Sequence, residues 1–122
     1  MMSGNMRLAI CLLFGVSAFA QAPADVEFFD KEVRPLLRTN CQGCHSVNGL
    51  NSGLALDSKE ALLKGGNRGP AAVSGDAASL LLQAVRHEGG LKMPPGKKLP
   101  AEQIAKLEEW VKRGLPVTAE FI

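Results

Sequence analysis

Between Asp25 and Leu37 the apolar positions Val26, Phe29, Val33 and Leu36/Leu37 recur at steps of three and four. That is the helical period, and acidic residues early with Arg34 and Arg38 late suit the helix dipole. Pro35 has no N–H to give to the preceding turn, so it predicts a kink or a restart there. The same period returns in LPAEQIAKLEEWVKRGLP, where Ile104, Leu107, Trp110 and Val111 make one face. Pro100 suits the opening of that helix, and Gly114 with Pro116 stops it. Two shorter helices are predicted between these. Asp57-Ser58-Lys59-Glu60 reads as a capping box opening SKEALLK, closed by Gly65-Gly66; Gly75-Asp76 reads as a cap for AASLLLQAVRH, closed by Gly89-Gly90.

The remainder reads as loop. Residues 43–56 and 65–75 are rich in glycine, and LKMPPGKKLP carries three prolines that exclude regular helix or sheet. β-Branched residues are scattered singly, which leaves a sheet little to build on. An all-α fold of about four helices joined by glycine- and proline-rich loops is expected.

The first twenty residues, MMSGNMRLAICLLFGVSAFA, hold one basic residue, Arg7, followed by a small and apolar run. The apolar part, Leu8 to Val16, falls well short of the ~20 residues a membrane-spanning helix needs. Ala18-Phe19-Ala20 supplies a small-x-small cleavage site. Residues 1–20 are therefore expected to be a signal peptide cleaved after Ala20, taking Cys11 with it, and residues 21–122 one exported, periplasmic domain. In those 102 residues 13 basic side chains face 12 acidic ones, a balance that gives no support to nucleic-acid binding. No second apolar run supports a membrane span. A domain of this size has a modest core, which a buried cofactor would enlarge.

Export leaves Cys41 and Cys44, both in TNCQGCHSV. Outside the cytoplasm cysteines are normally oxidised or ligated. A thioredoxin-like disulfide would need the pair at the end of a strand in a βαβ setting, whereas here a helix precedes it and a glycine-rich loop follows. A structural zinc ion needs four ligands in a tetrahedron; the domain offers two cysteines and two histidines, with His45 directly adjoining Cys44. A covalently bound haem uses every element of the motif. Two thiols about one helical turn apart can add to the two vinyl groups on one side of a porphyrin, and the adjacent imidazole of His45 meets the iron as fifth ligand.

A sixth ligand is available downstream. Met93 is the only methionine of residues 21–122 and stands in LKMPPGKKL, 48 residues beyond His45. A thioether is a soft ligand for haem iron, and the prolines limit the entropy lost on holding it. Methionine is also a common core filler, but such residues sit more often on a periodic helix than between Lys92 and Pro94. His87, at the end of the third helix, is the competitor for the sixth position. Leu80, Leu81, Leu82, Val85, Ile104, Leu107 and Trp110 are the natural pocket walls, each equally an ordinary core residue. Lys92, Lys97 and Lys98 flank the methionine loop, either to steer an acidic redox partner or as a solvated charged turn.

Taken in order, FFDKEVRPLLRTNCQGCH, GLALDSKEALLKGGNRGPAAVSGD and SLLLQAVRHEGGLKMPPGKKLPAEQIAKLEEWVKRGLP resemble the Planctomycete-type cytochrome c domain, a class I-like monohaem module of secreted bacterial proteins. The resemblance runs from about Phe28 to Pro116. It implies a small cytochrome c-like fold around one haem c, with Cys41 and Cys44 carrying the thioethers, His45 as proximal and Met93 as distal iron ligand. It also implies redox donor and acceptor proteins as partners, and a possible larger multidomain partner, since the module often opens longer polypeptides. One-electron transfer is the expected function. A haem-based sensor, or the electron-accepting module of a dehydrogenase assembly, is the alternative. No nucleophile–base pair or substrate pocket is legible, so no enzyme activity of its own is expected.

Overall fold

The structure is a computed structural model and describes residues 21–46 and 49–118. The expected signal peptide, residues 1–20, lies outside the described residues. Among the described residues no helix is long and apolar enough to cross a membrane.

Helix α1 (Pro23–Phe28), a π turn over Phe29–Val33 and helix α2 (Arg34–Asn40) follow one another without a gap. In a regular helix the ring of Pro35 would press on the carbonyl four residues earlier. The wider π turn, in which the Arg34 N–H bonds the Phe29 carbonyl, relieves that clash. The expected kink is thus a π bulge, and the helical segment runs past Leu37 to Asn40.

Helix α3 (Lys59–Lys64) is capped by Ser58, whose Oγ accepts from the Ala61 N–H at 3.0 Å. The expected box is shifted by one residue. With Ser58 as the cap, Ala61 fills the third helical position and no glutamate returns the bond. Helix α4 (Leu80–Arg86) is shorter at both ends than its sequence pattern suggests. Asp76 forms a local turn instead, accepting from the Ala78 N–H at 2.8 Å. Ser79, buried, takes the cap position, and its Oγ accepts from Val73 N–H at 3.0 Å and donates to the Asp76 carbonyl at 2.7 Å. At the other end His87 adopts the left-handed conformation, φ 59°, before Gly89-Gly90 is reached. The N–H groups of His87 and Glu88 then turn back to the carbonyls of Ala84 and Gln83 at 3.1 and 2.9 Å.

Helix α5 (Ala101–Lys112) opens after Pro100 and packs on both the π turn and α4. Its Ile104, Leu107, Trp110 and Val111 are buried against Phe29, Val33 and Leu37. The Trp110 and Phe29 rings lie 5.6 Å apart between centroids, and the indole N–H donates to the Pro116 carbonyl at 2.7 Å. Gln21 holds the start of the domain to its end, its side-chain amide meeting the Val117 N–H at 2.6 Å and carbonyl at 2.9 Å.

The fold is mostly helical, as expected, but one small sheet was not. Strands β1 (His45–Ser46) and β2 (Gly49–Leu50) pair antiparallel, His45 opposite Leu50, and a 3-10 turn over Asn51–Gly53 follows. Two-residue strands have no alternation to read, so propensity could not announce them.

Trp110 is fully buried in this helical core and does not line the cavity described below. Trp110→Ala should therefore cost about 3–5 kcal/mol of stability while leaving the visible absorption spectrum of the haem-loaded protein unchanged. Urea unfolding and the spectrum, measured on one sample, check both halves.

Candidate haem site

The end of α2 carries the motif. Cys41 caps the helix, its N–H bonded to Leu37 O at 2.9 Å, and the chain then makes one more turn in which the His45 N–H reaches Cys41 O at 2.9 Å. Residues three apart on such a turn share a face, so Cys41 and Cys44 point the same way. Both are free thiols; Cys44 is exposed, and burial pushes the Cys41 thiol up to about 11.

The motif also fixes the opposite wall. The His45 carbonyl accepts from the Leu56 N–H at 2.8 Å, and Gln42 Nε2 donates to the Leu56 carbonyl at 3.1 Å. Gln42, one of the two residues between the cysteines, is a positioning residue that the sequence reading missed. The Asn51 N–H bonds Cys44 O at 3.2 Å and brings the 3-10 turn alongside.

Between these pieces lies a cavity of about 390 Å³, within the usual range for small-molecule and cofactor sites. Cys41, Cys44, His45 and Met93 all line it. Of the expected walls, Leu80, Leu81 and Val85 face the cavity, but Leu82, Ile104, Leu107 and Trp110 do not. Those four belong to the core behind it, because the face of α5 that the heptad-like pattern reveals is spent on the π turn and α4. The missing walls come from loops, chiefly Leu54, Leu56, Ala71 and Leu91. Only the spacing of Leu54 and Leu56 hinted at this, as an alternation too short to assign.

Met93 is held from behind by α4, its N–H bonding the Ala84 carbonyl at 3.0 Å, and Ala84 itself lines the cavity. The Met93 side chain is 38% exposed, at the mouth. His87 does not line the cavity; its Nε2 is buried without a hydrogen-bond partner at the left-handed end of α4. Lys92, Lys97 and Lys98 are exposed beside the Met93 loop.

His45 is buried, 8% exposed, and its Nδ1 is enclosed with no hydrogen-bond partner. An orphaned buried imidazole nitrogen costs about 1–3 kcal/mol and calls for a partner that the described residues do not supply. Among the described residues no three His, Cys, Asp or Glu side chains gather into a site for a bare metal ion. The donors that do converge are one imidazole, one thioether and two thiols around an apolar slot. That set fits a porphyrin attached through its vinyl groups.

Fold and motif together define a c-type cytochrome module, which by its class carries covalently bound haem c. Residues 41–97 match the family model of Planctomycete cytochrome C, the family that the sequence resembles. Among solved structures, Kuenenia stuttgartiensis hydrazine synthase is similar at 21% sequence identity with a TM-score of 0.41, over 77% of this chain and 16% of that one. No curated protein matches the chain.

Proposed function

We propose that the protein is an exported electron carrier working through a single covalently attached haem with His45 and Met93 as axial ligands, and that it has no enzymatic activity of its own. The observation that carries this reading is that a buried imidazole and the domain's only thioether line one cavity beside both thiols of the motif. The bound haem supplies an iron that cycles between ferric and ferrous. The chain does the rest. Cys41 and Cys44 anchor the ring, His45 and Met93 set its ligand field, and Leu56, Leu81 and Val85 keep water from it, which favours the less charged ferrous state. Donor and acceptor proteins would meet it at the exposed cavity mouth, and the expected export to the periplasm is where haem attachment through CxxCH and such partners are available.

The test is to express the chain in a host that attaches haem to exported proteins. Haem should remain with the denatured polypeptide through acid–organic extraction, and the intact mass should equal the domain from Gln21 plus one haem. Extractable haem, or the bare mass, refutes the reading. The exposure of Met93 favours one second reading: a sensor in which this loop swings away and opens the sixth position to a small ligand.

A further inference from the structure

Among the described residues, apart from the motif and Asn40, whose side-chain amide donates to Leu36 O at 3.0 Å, the polar lining of the cavity comes from one part of its rim: Asn51, Ser52, Asn67 and Arg68. Among the described residues that line the cavity, Arg68 is the only lysine or arginine and none is an aspartate or glutamate. Ion pairs among the described residues use other basic groups, leaving the Arg68 guanidinium without a carboxylate.

Its position is fixed by backbone rather than by chance. Asn67 and Arg68 form the tip of a tight turn closed by a Gly66–Gly69 bridge, with N–H···O distances of 3.2 and 3.0 Å in the two directions. The Asn67 N–H bonds Ser52 O at 2.9 Å, which seats the tip on the 3-10 turn. A Cβ at Gly66 would lie 2.6 Å from the same Ser52 oxygen, so only glycine lets the two loops approach this closely. Ser52 itself is held at φ 58°, a left-handed conformation uncommon for serine.

Haem has an apolar body and two propionate carboxylates. A carboxylate at the edge of an apolar slot needs a charged or hydrogen-bonding partner, and a guanidinium can meet both of its oxygens at once. We propose that Arg68 binds a haem propionate, assisted by the side chains of Asn67 and Ser52, and thereby orients the haem and helps set its reduction potential. The assignment rests on the haem reading above.

The effect is directional. A guanidinium paired with a propionate neutralises negative charge near the iron; removing it leaves that charge to stabilise the ferric state, so the potential falls. It also makes the propionate easier to protonate. The other titratable groups lining the cavity, His45, Cys41 and Cys44, are taken up in haem binding, and His87 lies close by at the end of α4, so the titration that reports on the propionates is the one that Arg68→Gln moves and His87→Ala leaves in place.

The experiment compares wild type, Arg68→Gln, Arg68→Lys and, as a control for loss of a neighbouring exposed charge that does not line the cavity, Lys64→Gln. Retention of haem on denaturation is scored first, for all four. Arg68→Gln should keep its haem and low-spin spectrum, show a lower potential, and move the midpoint of the potential-against-pH curve upward by about one unit. The carboxylate stretching bands in redox difference infrared spectra should shift as well. Arg68→Lys should fall between wild type and Arg68→Gln, and Lys64→Gln should follow wild type. If Arg68→Gln retains haem but neither its potential curve nor its carboxylate bands depart from those of Lys64→Gln, the propionate assignment is wrong and the haem reading stands. If wild type itself carries no covalent haem, the haem reading fails before any potential is measured, and this inference fails with it.

Discussion

Met93→Ala protein should change from a low-spin, six-coordinate cytochrome to one that is largely high-spin or water-ligated, that binds carbon monoxide readily when reduced, and whose potential is lower. The expectation follows from supply. Met93 is the only thioether of the domain and lines the cavity, and no other neutral soft donor does. A thioether favours ferrous iron over ferric, so its loss lowers the potential. The loop should survive the change, because its anchor to α4 is the Met93 backbone N–H bonded to Ala84 O. Wild type should resist carbon monoxide and show a methionine-sulfur-to-iron charge-transfer band when oxidised. Rapid carbon monoxide binding by wild type would favour the sensor. A spectrum unchanged in Met93→Ala but altered in His87→Ala would replace the His/Met pair with two histidines, and would require the His87 end of α4 to rearrange toward the cavity.

A second large effect is expected on removing the haem altogether. Left dry and rigid, a cavity of about 390 Å³ would cost roughly 9 kcal/mol at ~24 cal/mol per Å³, comparable with the whole stability of a small domain, about 5–15 kcal/mol. Water entry and collapse of the loop walls relieve that cost, but at the expense of the site. Haem-free wild type should therefore melt far below the haem-loaded form or show no cooperative transition, as should Cys41→Ala/Cys44→Ala. Thiol labelling of haem-free wild type gives an independent readout. In the closed site, burial pushes Cys41 to about 11 from an ordinary 9.0, so its thiolate would be about a hundredfold scarcer at pH 8. If the site has opened, Cys41 and exposed Cys44 should react at comparable rates. A Cys41 that lags strongly in a haem-free chain with an undiminished melting temperature would show that the fold does not depend on its cofactor.

Much of this molecule is legible from local chemistry. CQGCH is a contiguous motif whose spacing alone brings two thiols and an imidazole to one side of a helical turn. The last helix announces itself because Ile104, Leu107, Trp110 and Val111 repeat along a single face, and Ser58, Gly65 and Pro100 mark ends through properties of their own side chains or backbones. Met93 could be picked out by elimination, being the sole thioether in a loop stiffened by proline.

What tertiary structure decided is whatever depends on residues remote in sequence being brought together. Periodicity identifies a buried face but not what it is buried against, so Trp110 and Leu107 looked like cofactor walls and turned out to pack on Phe29 and Val33, while the loop residues Leu56 and Ala71 took their place. The displaced start of α4 arises because Ser79 meets the backbone of Val73 and Asp76, and β1 is tied to the later loop by the Leu56 N–H donating to the His45 carbonyl. Arg68 belongs to the same class: in sequence it is one basic residue in a glycine-rich loop, and only the docking of the Gly66–Gly69 turn on Ser52 places its charge at the rim of an otherwise uncharged apolar cavity.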